Sequence, residues 1–497
     1  MATDFYQKLL KRIYRFKAMR STGWLLTIGL FAAAGSHLVA QSAPRASDSI
    51  WQPGNVQSLE HEHPIESPPP GIPDVSKTYT LAELIDLAEQ HNPDTRVAWE
   101  QAKAKADALG IARSTLYPTM SAVVLADSIR QATLIGEYFH RQTLGIFEPV
   151  LHVEYLVFDI GGRSGAIDAA KADLLASDFA FNDTHRRIIY QVASAYYQLL
   201  NAEGQRQAAE VSLENAKTVE EDASARLANG LATKPDQLEA AAASAQADYN
   251  LQAAVGAVAI ARGNLATATG FTATAAFKVQ EIDQLQLPTA IADSVNQEIE
   301  RAFSQRPDLL RQLARLRAAD ASIKQAKSTY FPSLSFDGVG GEARAYGQQD
   351  LLPGTYAEGE IWTAQLTLTW TLFDGARREY RIAQAEADKK AAQAAIDSLR
   401  DQIANQTWAA YSDVQTALRQ EKAAAALLTA SQQSYEAAHE AYGYGVRNLL
   451  DVVSAQKTLA QARSEDISAR TQLLFQVTNL AFRTGDLIQT QHWSPAP

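Results

Sequence analysis

The sequence predicts an α+β chain built twice over, each copy comprising a helix, two strands and a long helical hairpin. Gln365 to Leu372 alternates strictly: Leu366, Leu368, Trp370 and Leu372 share one side, and Gln365, Thr367, Thr369 and Thr371 share the other. That is the period-two signature of a strand with one apolar and one polar face. The alternation breaks at Phe373-Asp374-Gly375, and from Arg377 the chain is rich in Ala, Gln, Glu, Lys and Arg without proline for dozens of residues, as a long helix requires. The same junction occurs earlier, with Phe158-Asp159 preceding Phe373-Asp374 by 215 residues, so the unit is duplicated.

The first forty residues form a separate object. Lys8, Lys11, Arg12, Arg15, Lys17 and Arg20 precede an apolar run from Trp24 to Ala34 and small residues near Ala40, the pattern of a cleaved secretory signal over 1-40. As a membrane anchor the run falls well short of the roughly 20 residues a span needs. Its removal takes away six Lys/Arg and one Asp and moves the net charge from −11 to −16. Such a surface assembles no basic groove, which argues against nucleic acid as a partner. The chain has no cysteine, which excludes disulfides, thiolate metal sites and a lipid anchor on an N-terminal cysteine.

Residues 41-78 form a proline-rich, extended leader. It carries His61-Glu62-His63, read as solvated and not as a metal site, which needs further ligands at fixed geometry. A first repeat is expected over 79-290, a second over 291-487, and a tail over 488-497. Asn92-Pro93-Asp94 and Arg306-Pro307-Asp308 open equivalent helices, which Pro118 and Pro332 stop. Short alternating segments follow at Thr119 to Ala126 and Ser333 to Val339, with second strands around Leu151 to Val157 and Leu366 to Leu372. Gly165 to Asn229 and Arg377 to Gly443 read as rods, each on the order of 100 Å at 1.5 Å per residue. After Gly230 and Gly445 the chain turns back as Pro235 to Thr269 and Leu449 to Thr484.

These two-faced strands suit either lipid or a protein core. In a membrane a sheet must have no free edge, because each unpaired amide in hydrocarbon costs several kcal/mol, and four strands cannot close a barrel. Several copies would have to share one.

Order, spacing and internal repeat, with the "YP" and "FD" junctions and the turn AYGYGVRNLLDVVSAQ from Ala441 to Gln456, resemble the TolC family of outer membrane efflux proteins over about residues 79 to 487. The resemblance implies long helical hairpins forming a periplasmic α-barrel, and four strands contributed to a twelve-stranded transmembrane β-barrel in a homotrimer embedded in outer membrane lipid. It implies passive conduction of substrate in a tripartite efflux or type I secretion system. The partners implied are a periplasmic adaptor, contacting the turns at Gly230 and Gly445, and an inner-membrane RND pump or ABC transporter. It also implies a gate, in which Tyr442 and Arg447 restrain the inner helix pair through Asp236 while Asp451 lines a three-fold constriction. Ser454 stands where many members carry a second acid, which weakens any cation ring there. Capping alone also accounts for Asp236 and Asp451, which lie three residues after Thr233 and Asn448.

No catalytic constellation is found: G-x-S-x-G, H-E-x-x-H and a P-loop are missing, and DIGGRSG lacks dinucleotide spacing. No cofactor and no metal are expected. His152 and Glu154, with Thr367, Thr369 and Thr371, read as lumen-facing pore lining. The alternative to a channel is a periplasmic structural or adaptor protein of helical hairpins, which leaves the paired strands without a use.

Overall fold

The computed structural model describes residues 77–290, 294–349 and 354–487. The expected signal, nearly all of the leader and the C-terminal tail lie outside them.

Each half opens with two short helices, α1 (Leu81–His91) and α2 (Pro93–Ser114) in the first, α5 (Val295–Gln305) and α6 (Pro307–Ser328) in the second. Proline at the first helical position starts α2 and α6, where its missing N–H costs no hydrogen bond. Thr80 and Glu83 form a capping box on α1, and Lys77 lies 2.8 Å from Glu83. At the two ends of the first half, β1 (Thr78–Tyr79) and β4 (Lys278–Val279) make a small parallel pair that the sequence pattern did not reveal. Tyr79, Leu84, Tyr196, Leu265 and Phe277 pack into a core beside it.

The strands extend beyond the alternating segments that predict them. They are β2 (Thr119–Ile135), β3 (Tyr138–Phe158), β5 (Ser333–Gln349) and β6 (Thr355–Thr369), joined as an antiparallel sheet in the order β2-β3-β5-β6. Because β6 ends at Thr369, Thr371 falls in the connection to the next helix, outside the strand in which it was expected. Register fixes the faces. Glu154 pairs with Asp337, which pairs with Gln365, and the adjacent rows hold His152, Val339 and Thr363, and Leu156, Ser335 and Thr367. The intervening rows place Tyr155, Phe336 and Leu366 together on the opposite face.

The hairpins are α3 (Gly162–Ala228) with α4 (Lys234–Ala268), and α7 (Arg377–Gly443) with α8 (Leu449–Thr484). Each rod has 67 residues, about 100 Å at 1.5 Å per residue. Their cores use alanine heavily (Ala223 and Ala240 beside Val219, Ala410 and Ala417 beside Val414), which lets backbones approach closely. None of the described helices is long and apolar enough to cross a membrane.

Strand turns into rod by the same device in both halves. Ile160 and Gly161, and then Gly375 and Ala376, adopt positive φ consecutively. Each copy supplies one glycine, at opposite positions of the pair, and the other residue bears the roughly 1–2 kcal/mol that a left-handed conformation costs a side-chain-bearing residue.

Candidate functional site

The turns joining the rods bring most of the expected gate residues into one region. Gly230 (φ +72°) ends α3, with its N–H on Leu227 O at 3.0 Å and that of Leu231 on Arg226 O at 2.8 Å. Gly445 (φ +73°) repeats this, its N–H on Tyr442 O at 3.0 Å and that of Val446 on Ala441 O at 2.9 Å. Both are Schellman caps, and both need the left-handed residue that glycine supplies. Leu231, Tyr444 and Val446 stand exposed on these turns.

The repeat-related aspartates are held differently. Asp236 is engaged: its Oδ2 accepts from the Thr233 N–H at 2.8 Å and from the Thr233 hydroxyl at 2.6 Å. Those two bonds hold its carboxyl below the usual aspartate range. Asn448 instead caps α8 alone, accepting from the Asp451 N–H at 2.9 Å. The Asp451 carboxylate has no hydrogen-bond or ion-pair partner among the described residues. Ser454, one turn on, is exposed.

Tyr442 is buried among Val219, Ala240, Leu449 and Val452. Burial pushes its phenol up; the Arg226 charge pulls the other way, and Asp236 and Asp222 add to the rise. Arg226 was not anticipated. Its guanidinium lies 4.3 Å from the Tyr442 ring centroid, and its Nη2 donates to Gly443 O at 2.8 Å. The position 215 residues on is Ala441, so the repeat gave no signal for it. The Arg447 side chain is exposed and, among the described residues, does not reach Asp236. The chain therefore brings Tyr442 into the field of Asp236 and leaves Arg447 apart from both.

At the sheet, register puts His152, Glu154, Thr367 and Thr369 on one face. Asp337, unmarked in the sequence reading, joins them: His152 Nε2 lies 2.6 Å from its Oδ2 and 3.8 Å from Glu154 Oε1.

Two-faced strands feeding paired rods, in duplicate, make this a TolC-like outer membrane channel protein, with its helical tunnel on the periplasmic side. The chain belongs to the outer membrane efflux protein family, whose sequence profile matches residues 84–271 and 299–486. Protein CyaE of Bordetella pertussis is 27% identical over 479 residues, covering 94% of this chain and 96% of that protein. Outer membrane protein OprJ of Pseudomonas aeruginosa is 27% identical over 403 residues, covering 76% and 78%. Among solved structures, a membrane protein from Pseudomonas aeruginosa superposes with a TM-score of 0.72 at 25% identity, over 83% of this chain and 94% of that one. VceC of Vibrio cholerae shares the fold at 19% identity, with a TM-score of 0.68 over 82% and 96%.

Proposed function

We propose that three copies of this chain join their sheets edge to edge into one twelve-stranded barrel, continued through the periplasm by the rods. The tunnel passively conducts substrate that an inner-membrane RND pump or ABC transporter delivers, and a periplasmic adaptor seats on the turns at Gly230 and Gly445. One observation carries this reading: the sheet β2-β3-β5-β6 is open at β2 and β6, while Leu366 and Trp362 on its apolar face are 66% and 79% exposed. Water penalises that face and lipid penalises those edges; a shared barrel in a bilayer resolves both. The repeats over 79-290 and 291-487 then give each protomer two hairpins in the barrel and two in the tunnel.

The periplasmic end is closed by Asp451, repeated three-fold, with Tyr442, Arg447 and Asp236 as its restraint. The free carboxylate of Asp451 supports the first role, because it is not spent on capping. Arg447 makes its restraining contact across the assembly, since among the described residues of its own chain its side chain finds none.

Fractionation tests the reading. The protein is expected to stay in the outer membrane through high-salt and urea washes, to run as a heat-dissociable trimer and to conduct in a planar bilayer. A water-soluble monomer would refute it and favour a periplasmic adaptor.

A further inference from the structure

The polar face of the sheet carries a group of side chains that pore lining leaves unexplained. Glu154 and Asp337 stand directly opposite each other on β3 and β5, and like charges so placed destabilise a strand pair. Among the described residues neither carboxylate has a lysine or arginine within ion-pair distance; the basic side chain beside them is His152, on the same face of β3 two residues from Glu154. One ligand atom from each of the three lies within 4.8 Å of the others.

We propose that His152, Glu154 and Asp337 bind a divalent transition-metal cation, with Zn²⁺ as its probe, on the inner wall of the barrel. An imidazole nitrogen with two carboxylate oxygens suits zinc, copper or nickel better than magnesium or calcium, which favour oxygen alone. Three protein ligands leave a coordination position for water or another ligand, as in zinc sites that exchange what they hold. All three stand on adjacent, hydrogen-bonded strands of a single chain, which limits how far the ligands move. To receive the ion, the imidazole exchanges its hydrogen bond with Asp337 for the metal. Glu154 pairs with Thr119, the first residue of β2, and stands four residues before the end of β3, so the site lies in the half of the sheet nearer the rods. Binding adds positive charge to that wall, and its effect on current rests on the channel reading; the binding itself does not.

The test uses the full-length protein without a polyhistidine tag, purified in detergent, stripped with EDTA and dialysed against Zn²⁺. About one Zn²⁺ per chain is expected. His152→Ala and Asp337→Asn are each expected to weaken binding by more than about tenfold, the equivalent of about 1.4 kcal/mol, while the heat-dissociable oligomer persists. His152→Gln, which keeps a hydrogen-bonding side chain of similar reach, is expected to lose zinc equally. Binding that survives all three variants overturns the proposal, as does binding abolished instead by Asp451→Asn or by His61→Ala with His63→Ala. In planar bilayers, Zn²⁺ is expected to lower wild-type current and leave the current of His152→Ala unchanged; equal block of both overturns the site's effect on conduction. A protein that binds zinc yet conducts in no variant keeps the site and refutes the channel.

Discussion

Arg378 Nε lies 3.2 Å from the carboxylate of Asp374, four residues earlier, and the same guanidinium donates to Thr371 O at 2.7 Å and Leu372 O at 3.1 Å. The first copy repeats the arrangement: Arg163, four residues after Asp159, donates to Val157 O at 2.9 Å and Thr115 O at 3.1 Å. Both side chains of the Asp374 pair are nearly buried, at 7% and 11% exposed. In the second copy the arginine gathers two carbonyls of the connection between strand and rod; in the first it ties the end of β3 to the cap of α2.

Arg378→Ala is therefore expected to lose roughly 1–3 kcal/mol, because it strips two carbonyls of their donor and leaves a desolvated carboxylate only Arg377, at 4.0 Å. The check is the heat-dissociation midpoint of the oligomer, which should fall by several degrees, with Arg378→Lys falling between the two. A midpoint unchanged in Arg378→Ala would show that the left-handed pair at Gly375 and Ala376 sets the bend alone.

That junction also shows what the sequence made legible. Gln365 to Thr369 announced a two-faced strand because every second residue is apolar, and Arg377–Gly443 announced a rod because nothing interrupts it. The upper parts of β2, β3 and β5 did not stand out. Gly340, Gly341, Glu342 and Ala343 continue β5 through residues of low strand propensity, held by pairing with β3 and β6. Pairwise relations across the fold were equally hidden. Asp337 meets His152 from 185 residues away, and Arg226 meets Tyr442 across two rods, neither marked by local pattern or repeat. The capping roles of Thr233 and Asn448 were readable because a cap acts within three residues.

The base of the second half rests on a buried ionic group that makes stability depend on pH. Arg306 holds Asp308 with two bonds, Nε to Oδ1 at 3.0 Å and Nη2 to Oδ2 at 2.6 Å, and Arg186 stands 3.9 Å away. Burial would raise the Asp308 carboxyl, but the bonds and charge of Arg306 and the charge of Arg186 outweigh it and hold it below the usual range. A carboxyl depressed in the folded state stabilises fully above its unfolded pKa, about 3.9, and loses that contribution as pH falls through the folded value. Asp308→Asn should cost about 3–5 kcal/mol at neutral pH by leaving buried arginines short of a counter-charge. The gap between wild type and variant, followed by thermal unfolding, should narrow steadily below about pH 4. A gap constant down to pH 2 would remove Asp308 as its source.

At the turns, the Arg226 guanidinium over the Tyr442 ring makes a test the sequence alone did not suggest. Tyr442→Phe with Arg447→Ser is expected to raise single-channel conductance in a planar bilayer, as a loosened gate should. Arg226→Ala removes the cation–π contact, worth about 0.5–2 kcal/mol, and the bond to Gly443 O, and is expected to raise conductance further when added to that pair. Unchanged conductance in the double variant would refute the gate assignment. If the double variant opens and Arg226→Ala adds nothing, Arg226 serves only to pack the turn.

The two faces of β6 give the sharpest test of membrane placement. Trp362 and Trp370 lie eight residues apart on the apolar side of the chain with Leu366 midway between them, and Trp370 Nε1 donates to Tyr330 O at 3.1 Å where the strand ends. In a bilayer, tryptophans at such a spacing, about 26 Å of extended chain at 3.3 Å per residue, would lie toward the two interfaces, with Leu366 between them. Leu366→Arg should then cost about 2–4 kcal/mol, whereas Thr367→Arg, one residue on and on the opposite, polar face, should cost far less. Folding into liposomes followed by urea titration measures both. Equal tolerance of the two arginines would mean that neither face meets lipid, and the sheet would have to be covered by protein instead.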